Sequence, residues 1–191
     1  MAEAEAVPRP AVAGDETDTA ANFEAQLLSQ QRLVYNVCYR LLHERCAAED
    51  ACQETLIAAW RHRHGGALNR SWLMQIAVNK CRDELRRRMR KPTCLLEEND
   101  CGPDSYVSTE PAPEEVAMRS LANAMLQEAL LELSWPQRVV LVLCDVEGWP
   151  YRDTAQATGV SVGTVKSRVA RGRVKLREAL LRREAAGYIS I

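Results

Sequence analysis

The chain has 191 residues, with 25 Lys and Arg against 26 Asp and Glu; a net charge of −1 excludes a uniformly basic coat and by itself points to no partner. No run of eighteen apolar residues occurs, so no membrane span is expected, and the acidic opening MAEAEAVPRP lacks the apolar centre of a secretory leader. The charge is nevertheless blocked: residues 31–91 carry thirteen bases and six acids and 137–191 ten and five, whereas 1–30 and 92–136 hold six and nine acids with one base each. Two candidate polyanion surfaces therefore alternate with two acidic stretches.

Residues 1–20, rich in Ala, Glu, Asp and Pro, read as a disordered tail. From Phe23 the apolar residues Leu27, Leu28, Val34, Val37, Cys38, Leu41 and Leu42 recur at helical spacing. Residues 43–47 read as a short connection. A second helix over 48–60 carries Cys52, Leu56, Ile57, Ala59 and Trp60 on its apolar stripe. Gly65 and Gly66 interrupt, and a third helix over 71–89 buries Trp72, Leu73, Ile76, Ala77, Cys81 and Leu85. This gives a first helical domain over 21–91. Residues 92–114, with Pro92, Gly102, Pro103, Pro111 and Pro113 among acids, read as a flexible linker.

A second helical domain is expected over 115–182, followed by a short tail, 183–191. Its first helix covers 116–133. Pro136 opens the next, where a missing N–H is harmless, and Gly148 closes it; these flanks favour a helix over a strand for the Val-rich run between them. The fold class is all-α, two small helical domains joined by a linker.

The segment PYRDTAQATGVSVGTVKSRVARGRVKLREAL, residues 150–180, has the order of a helix-turn-helix. Ala155 is small where two crossing helices must approach. Gly159 suits a left-handed turn, Val160 a buried turn position, and Ser161 an N-cap. Val165 and Val169 face inward together. That leaves Ser161, Thr164, Lys166, Ser167, Arg168, Arg171 and Arg173 on or near the other face, where a helix can enter the DNA major groove. A plain hairpin with a solvated charged face is the bland alternative, and the ordered set of Ala, Gly, Ser and Val argues against it.

Two further stretches widen the picture: AEDACQETLIAAW with SWLMQIAVNKCRDELRRRMR, and LSWPQRVVLVLCDVEG leading into the helix-turn-helix. Together, over about residues 23–181, they resemble the extracytoplasmic-function group of the sigma-70 family, which directs RNA polymerase to promoters. The resemblance implies that Asp50, Gln53 and Glu54 face the clamp of the polymerase's largest subunit. It implies that the loop 62–70, with His62, His64 and Asn69, captures a flipped base near promoter position −10, and that Asn79 reads or melts that element. Arg82, Arg86, Arg87, Arg88, Arg90 and Lys91 would hold phosphates there, while residues 161–173 read the −35 element. Further implied partners are the flap of the second-largest subunit, promoter DNA and a dedicated anti-sigma factor, with action in the cytoplasm and on the nucleoid. No cofactor, metal or membrane insertion is implied, and no bond chemistry. Departures from the family pattern are a shorter loop between Trp60 and Trp72, and Pro150 and Asp153-Thr154 where Ser and Glu-Ile are common.

Two other readings fit parts of the sequence. A stand-alone regulator would use only the helix-turn-helix and bind an operator tightly as a homodimer. A thiol switch would draw on the seven cysteines (Cys38, Cys46, Cys52, Cys81, Cys94, Cys101, Cys144), with His43, Cys46 and Cys52 as a loose cluster. The odd count and the absence of a tight CxxC pair fit reduced thiols instead. His43, His62 and His64 lack the paired acids or nucleophile an enzyme needs.

Overall fold

The computed structural model describes residues 16–63, 67–90 and 113–185, and every regular element among them is helical. Helices α1 (Glu16–Leu42), α2 (Arg45–Arg61) and α3 (Arg70–Arg90) form the first module. Helix α4 (Pro113–Leu131) and α5 (Trp135–Leu141) lead into a π-helical turn, Val142–Val146, and then α6 (Tyr151–Thr158) and α7 (Val162–Ala185). No described helix is long and apolar enough to cross a membrane.

Several boundaries differ from the sequence expectation. Helix α1 begins at Glu16, inside the expected tail, and α4 at Pro113, inside the expected linker. The connection expected over 43–47 shrinks to His43 and Glu44. His43 ends α1 in the left-handed region at φ 53°, and the Glu44 carboxylate accepts from the Ala47 N–H at 3.0 Å, capping α2. Asp50 consequently lies in the second turn of α2, beyond the first-turn position at which a helix dipole rewards an acid most.

The first module buries Phe23, Leu27, Val34, Val37 and Leu41 of α1 against Ala48, Ala51 and Ala59 of α2 and Leu73, Met74 and Ala77 of α3. In the second, Leu130, Leu133 and the Val139–Leu143 run meet Val165 and Val169 of α7. Pro136 sits in the first turn of α5, and Gly148, at φ 70°, ends the π-helical turn. The two cores are continuous, because α6 packs on α3 and both α4 and the π-helical turn pack on α1. Two side-by-side modules were legible in the sequence; their docking was not.

Candidate nucleic-acid interface

The helix-turn-helix is built by local rules. Gly159 is left-handed at φ 66°, which lets the Val160 N–H reach back to the Ala155 carbonyl at 3.1 Å and close the end of α6. The Ser161 hydroxyl then accepts the Thr164 N–H at 3.1 Å, capping α7. Val165 and Val169 are buried, so the opposite face of α7 points outward. On that face Ser161, Lys166, Ser167, Arg171 and Arg173 are exposed, while Thr164 and Arg168 are half-buried. Arg171 lies back along the helix, its Nε donating to the Ser167 carbonyl at 3.2 Å. Arg173 donates to both carboxylate oxygens of Asp145, at 2.8 and 2.7 Å. That ion pair raises the Arg173 pKa and holds the cation against the π-helical turn.

Helix α3 presents the other cationic face. Asn79, Arg82, Arg86, Arg87 and Arg90 are exposed. The Asn79 Oδ1 accepts from Arg82 at 2.6 Å, which leaves the amide NH₂ directed away from that bond. Arg86 lies 3.7 Å from Asp83. Arg87 forks onto Glu84 at 2.7 and 2.9 Å, and half-buried Arg88 joins Glu84, at 2.8 Å, to Glu44 of the α2 cap. Hydrogen bonds from Arg87, aided by Arg88, hold the Glu84 carboxyl below the usual carboxylate range despite its burial. Arg87 and Arg88 are thus engaged by carboxylates, and Arg88 fastens α3 to the start of α2.

The remaining expected residues sort clearly. Asn69 caps α3, its Oδ1 accepting the Trp72 N–H at 3.1 Å. His62 ends α2 and is exposed. His64 and Lys91 lie outside the described residues. Asp50, Gln53 and Glu54 are exposed on one face of α2, with Glu54 bonded to Lys80 of α3 at 2.9 Å. Ile57 belongs to that face as well. Placed on the buried stripe from the sequence, it is half exposed, one turn beyond Gln53 and Glu54. The spacing 50, 53, 54, 57 carries this face, and the apolar character of Ile57 obscured it. Trp60 and Trp72 pack partly buried on the core, and Arg63 lies over the Trp60 ring at 3.9 Å.

Among the described residues no three His, Cys, Asp or Glu side chains are grouped to hold a metal, so His43, Cys46 and Cys52 do not assemble as a cluster. Cys38, Cys52 and Cys81 are buried, and the Cys52 thiol is pushed up to about 12 by burial, the opposite of what a reactive thiolate needs.

Residues 27–91 match the family model "Sigma-70 region 2" and residues 123–176 the model "Sigma-70, region 4". The chain is 38% identical to the ECF RNA polymerase sigma factor SigE of Mycolicibacterium smegmatis, over 77% of this chain and 57% of that one. It is 39% identical to SigM of Mycobacterium tuberculosis, over 70% of this chain and 64% of that one. The aligned part thus spans less than two thirds of those two relatives. The RNA polymerase sigma-H factor of Pseudomonas aeruginosa is 30% identical over 85% of this chain and 89% of that one. Among solved structures, the sigma factor RpoE of Bartonella quintana, in complex with the anti-sigma factor NepR, superposes with a TM-score of 0.63 at 28% identity, covering 83% of this chain and 96% of that one.

Proposed function

Because the chain belongs to the extracytoplasmic-function group of the sigma-70 family of RNA polymerase sigma factors, we propose that it binds core polymerase and directs it to promoters through two separate DNA contacts. The observation that carries this reading is the pair of outward faces. Helix α7 offers Lys166, Ser167 and Arg171 from a helix-turn-helix, and α3, on the other module, offers Asn79, Arg82, Arg86 and Arg90. In this reading α7 enters the major groove at the −35 element, with Ser161, Thr164 and Arg168 at its edge. Helix α3 and the loop before it, with His62, His64 and Asn69, take the −10 element, where Arg87, Arg88 and Lys91 add positive potential.

The face formed by Asp50, Gln53, Glu54 and Ile57 is assigned to the clamp of the polymerase's largest subunit, and the second module to the flap of the second-largest. Opening a duplex costs about 1–2 kcal/mol per step in lost stacking, more than a few surface cations return, so melting needs the polymerase. Nucleotidyl transfer belongs to the polymerase and the chain itself is not an enzyme. The RpoE–NepR complex supports an anti-sigma factor as a further partner. In this reading the protein acts in the cytoplasm and on the nucleoid.

Run-off transcription from a randomised promoter library with purified core polymerase tests this. The expected result is selection of two elements together. Asn79→Asp, which keeps the acceptor but loses the NH₂ donor, should disturb the downstream element alone. Tight, specific operator binding by the free chain, with no transcription when core is added, would favour the stand-alone regulator instead.

A further inference from the structure

Asparagine offers a base both a donor and an acceptor from one short side chain. On α3 that choice is already made. The Asn79 Oδ1 accepts from a terminal nitrogen of Arg82 at 2.6 Å. A guanidinium carries only donors, so the amide oxygen is the atom that must face it, and the NH₂ is left for any other partner. Residues three apart on a helix are neighbours, and this pair stands on a fixed platform. Val78 and Cys81, which precede the two in sequence, are buried at 7% and 0% exposure, while Asn79 and Arg82 are exposed.

Arg82 differs from the cations that follow it. Arg86 lies 3.7 Å from Asp83, and Arg87 and Arg88 are bonded to Glu84. Those arginines meet carboxylates of their own helix. Arg82 meets a neutral amide, a contact that leaves its charge unneutralised. A bond with one ionised partner is shorter and stronger than one between neutral groups, which agrees with the close approach. It uses one guanidinium N–H and leaves the rest beside the Asn79 NH₂. The outward surface of the pair is therefore made of donors.

Base edges sort such a surface. Adenine shows the acceptor N7 beside the donor N6, and a free asparagine answers both, donating to N7 and accepting from N6. With Oδ1 held by Arg82, the second of those bonds is contested by a cation, and the adenine amino group meets guanidinium donors. Guanine shows two acceptors side by side, O6 and N7, which suit neighbouring donors.

We propose that Arg82 is a positioning residue: by holding the Asn79 oxygen it presents the amide as a donor, and so sets guanine rather than adenine at one position of the downstream promoter element. The proposal rests on the sigma-factor reading above and deepens it, since it names the base edge that α3 takes and gives Arg82 a role distinct from holding phosphate.

Run-off selection from a promoter library randomised over the downstream element, with polymerase complexes of the full chain and its variants, tests this. Asn79→Asp marks the position that Asn79 reads, because selection changes there. At that position the wild type should favour guanine over adenine by about tenfold, on whichever strand α3 contacts. Arg82→Met keeps an apolar stem and removes every donor, and should raise adenine at least level with guanine. Arg86→Met, one turn further on, should weaken binding evenly across sequences with base preference unchanged, which separates loss of positive charge from loss of positioning. The proposal is overturned by a wild type that favours another base at that position, by an Arg82→Met variant that keeps the wild-type preference, by an Arg86→Met variant that admits adenine equally, or by an Asn79→Asp variant that alters no position. Absence of transcription by the wild type at saturating core would instead overturn the sigma-factor reading.

Discussion

Arg173 of the recognition helix and Asp145 of the π-helical turn form a two-pronged ion pair, at 2.8 and 2.7 Å, so the cation nearest the middle of α7 is held by its own protein. Both side chains remain partly exposed, which makes the pair a weak contributor to stability and a strong influence on where one charge points. Asp145→Asn should release Arg173 toward DNA phosphates. In titrations of the polymerase complex against salt, the slope of log affinity on log salt should steepen by about one, with selectivity unchanged. The thermal midpoint should move by no more than about 3 °C. An unchanged salt slope would mean that Arg173 reaches phosphate despite its partner.

Arg171 stands in contrast. It is exposed, two residues earlier on the same helix, and among the described residues its hydrogen bonds run to the Ser167 carbonyl and hydroxyl. If it reads a base edge, Arg171→Ala should cost about 1–3 kcal/mol at one base pair of the −35 element and relax selection there. If it holds phosphate, binding should weaken evenly across sequences and the salt slope should fall by about one. Randomised −35 elements, selected at two salt concentrations, separate these cases. A variant that behaves as wild type in both would remove Arg171 from the interface.

What was legible in the sequence is what local rules decide. Gly159, Ser161, Val165 and Val169 each occupy the position that a turn, a cap or a buried face demands within a few residues. The start of α2 was misplaced because its cap is Glu44, a residue type outside the usual Ser, Thr, Asp and Asn. The π-helical turn was hidden inside a Val-rich run whose composition does not distinguish hydrogen bonds four residues apart from those five apart. Docking of the modules was invisible because it rests on pairs such as Gln127 with Tyr39, distant in sequence, where no periodicity says which helix end a glutamine will cap.

Glu84 gives a pH prediction whose sign is fixed by its partners. Hydrogen bonds from Arg87 and Arg88 lower its pKa in the folded chain, below the ordinary carboxylate value of 4.5. The unfolded chain therefore binds the proton more readily, and the stability contributed is fully present above pH 4.5 and is lost as the pH falls through the folded value. Glu84→Gln should remove that contribution, costing about 1 kcal/mol at neutral pH and little in acid. Denaturant melts of both proteins across pH 3 to 7 should converge at the acid end. Curves that stay parallel throughout would show that ionisation of Glu84 beside Arg87 and Arg88 contributes nothing to stability.

Gly172 closes the contact between α7 and α5 and sets the seating of the recognition helix. A glycine inside a helix costs about 1 kcal/mol relative to alanine, so Gly172→Ala would stabilise α7 if space allowed. Space does not allow it. A Cβ at this position would lie 2.9 Å from Leu141 Cδ1, 3.2 Å from its Cγ and 3.6 Å from Gln137 Cβ. Leu141 is 1% exposed and has little room to retreat. Overpacking of this kind costs about 1–3 kcal/mol, which outweighs the helix-propensity gain. The expected outcome is a net loss of about 1 kcal/mol, read as a fall of roughly 3 °C in the thermal midpoint. The same substitution made in a Leu141→Ala background should become stabilising, because the added methyl then enters vacated space and the two changes compensate each other. A midpoint that rises on Gly172→Ala alone would show that α7 can shift away from α5 at no cost, and Arg171 and Arg173 on either side of Gly172 would then lack a fixed platform.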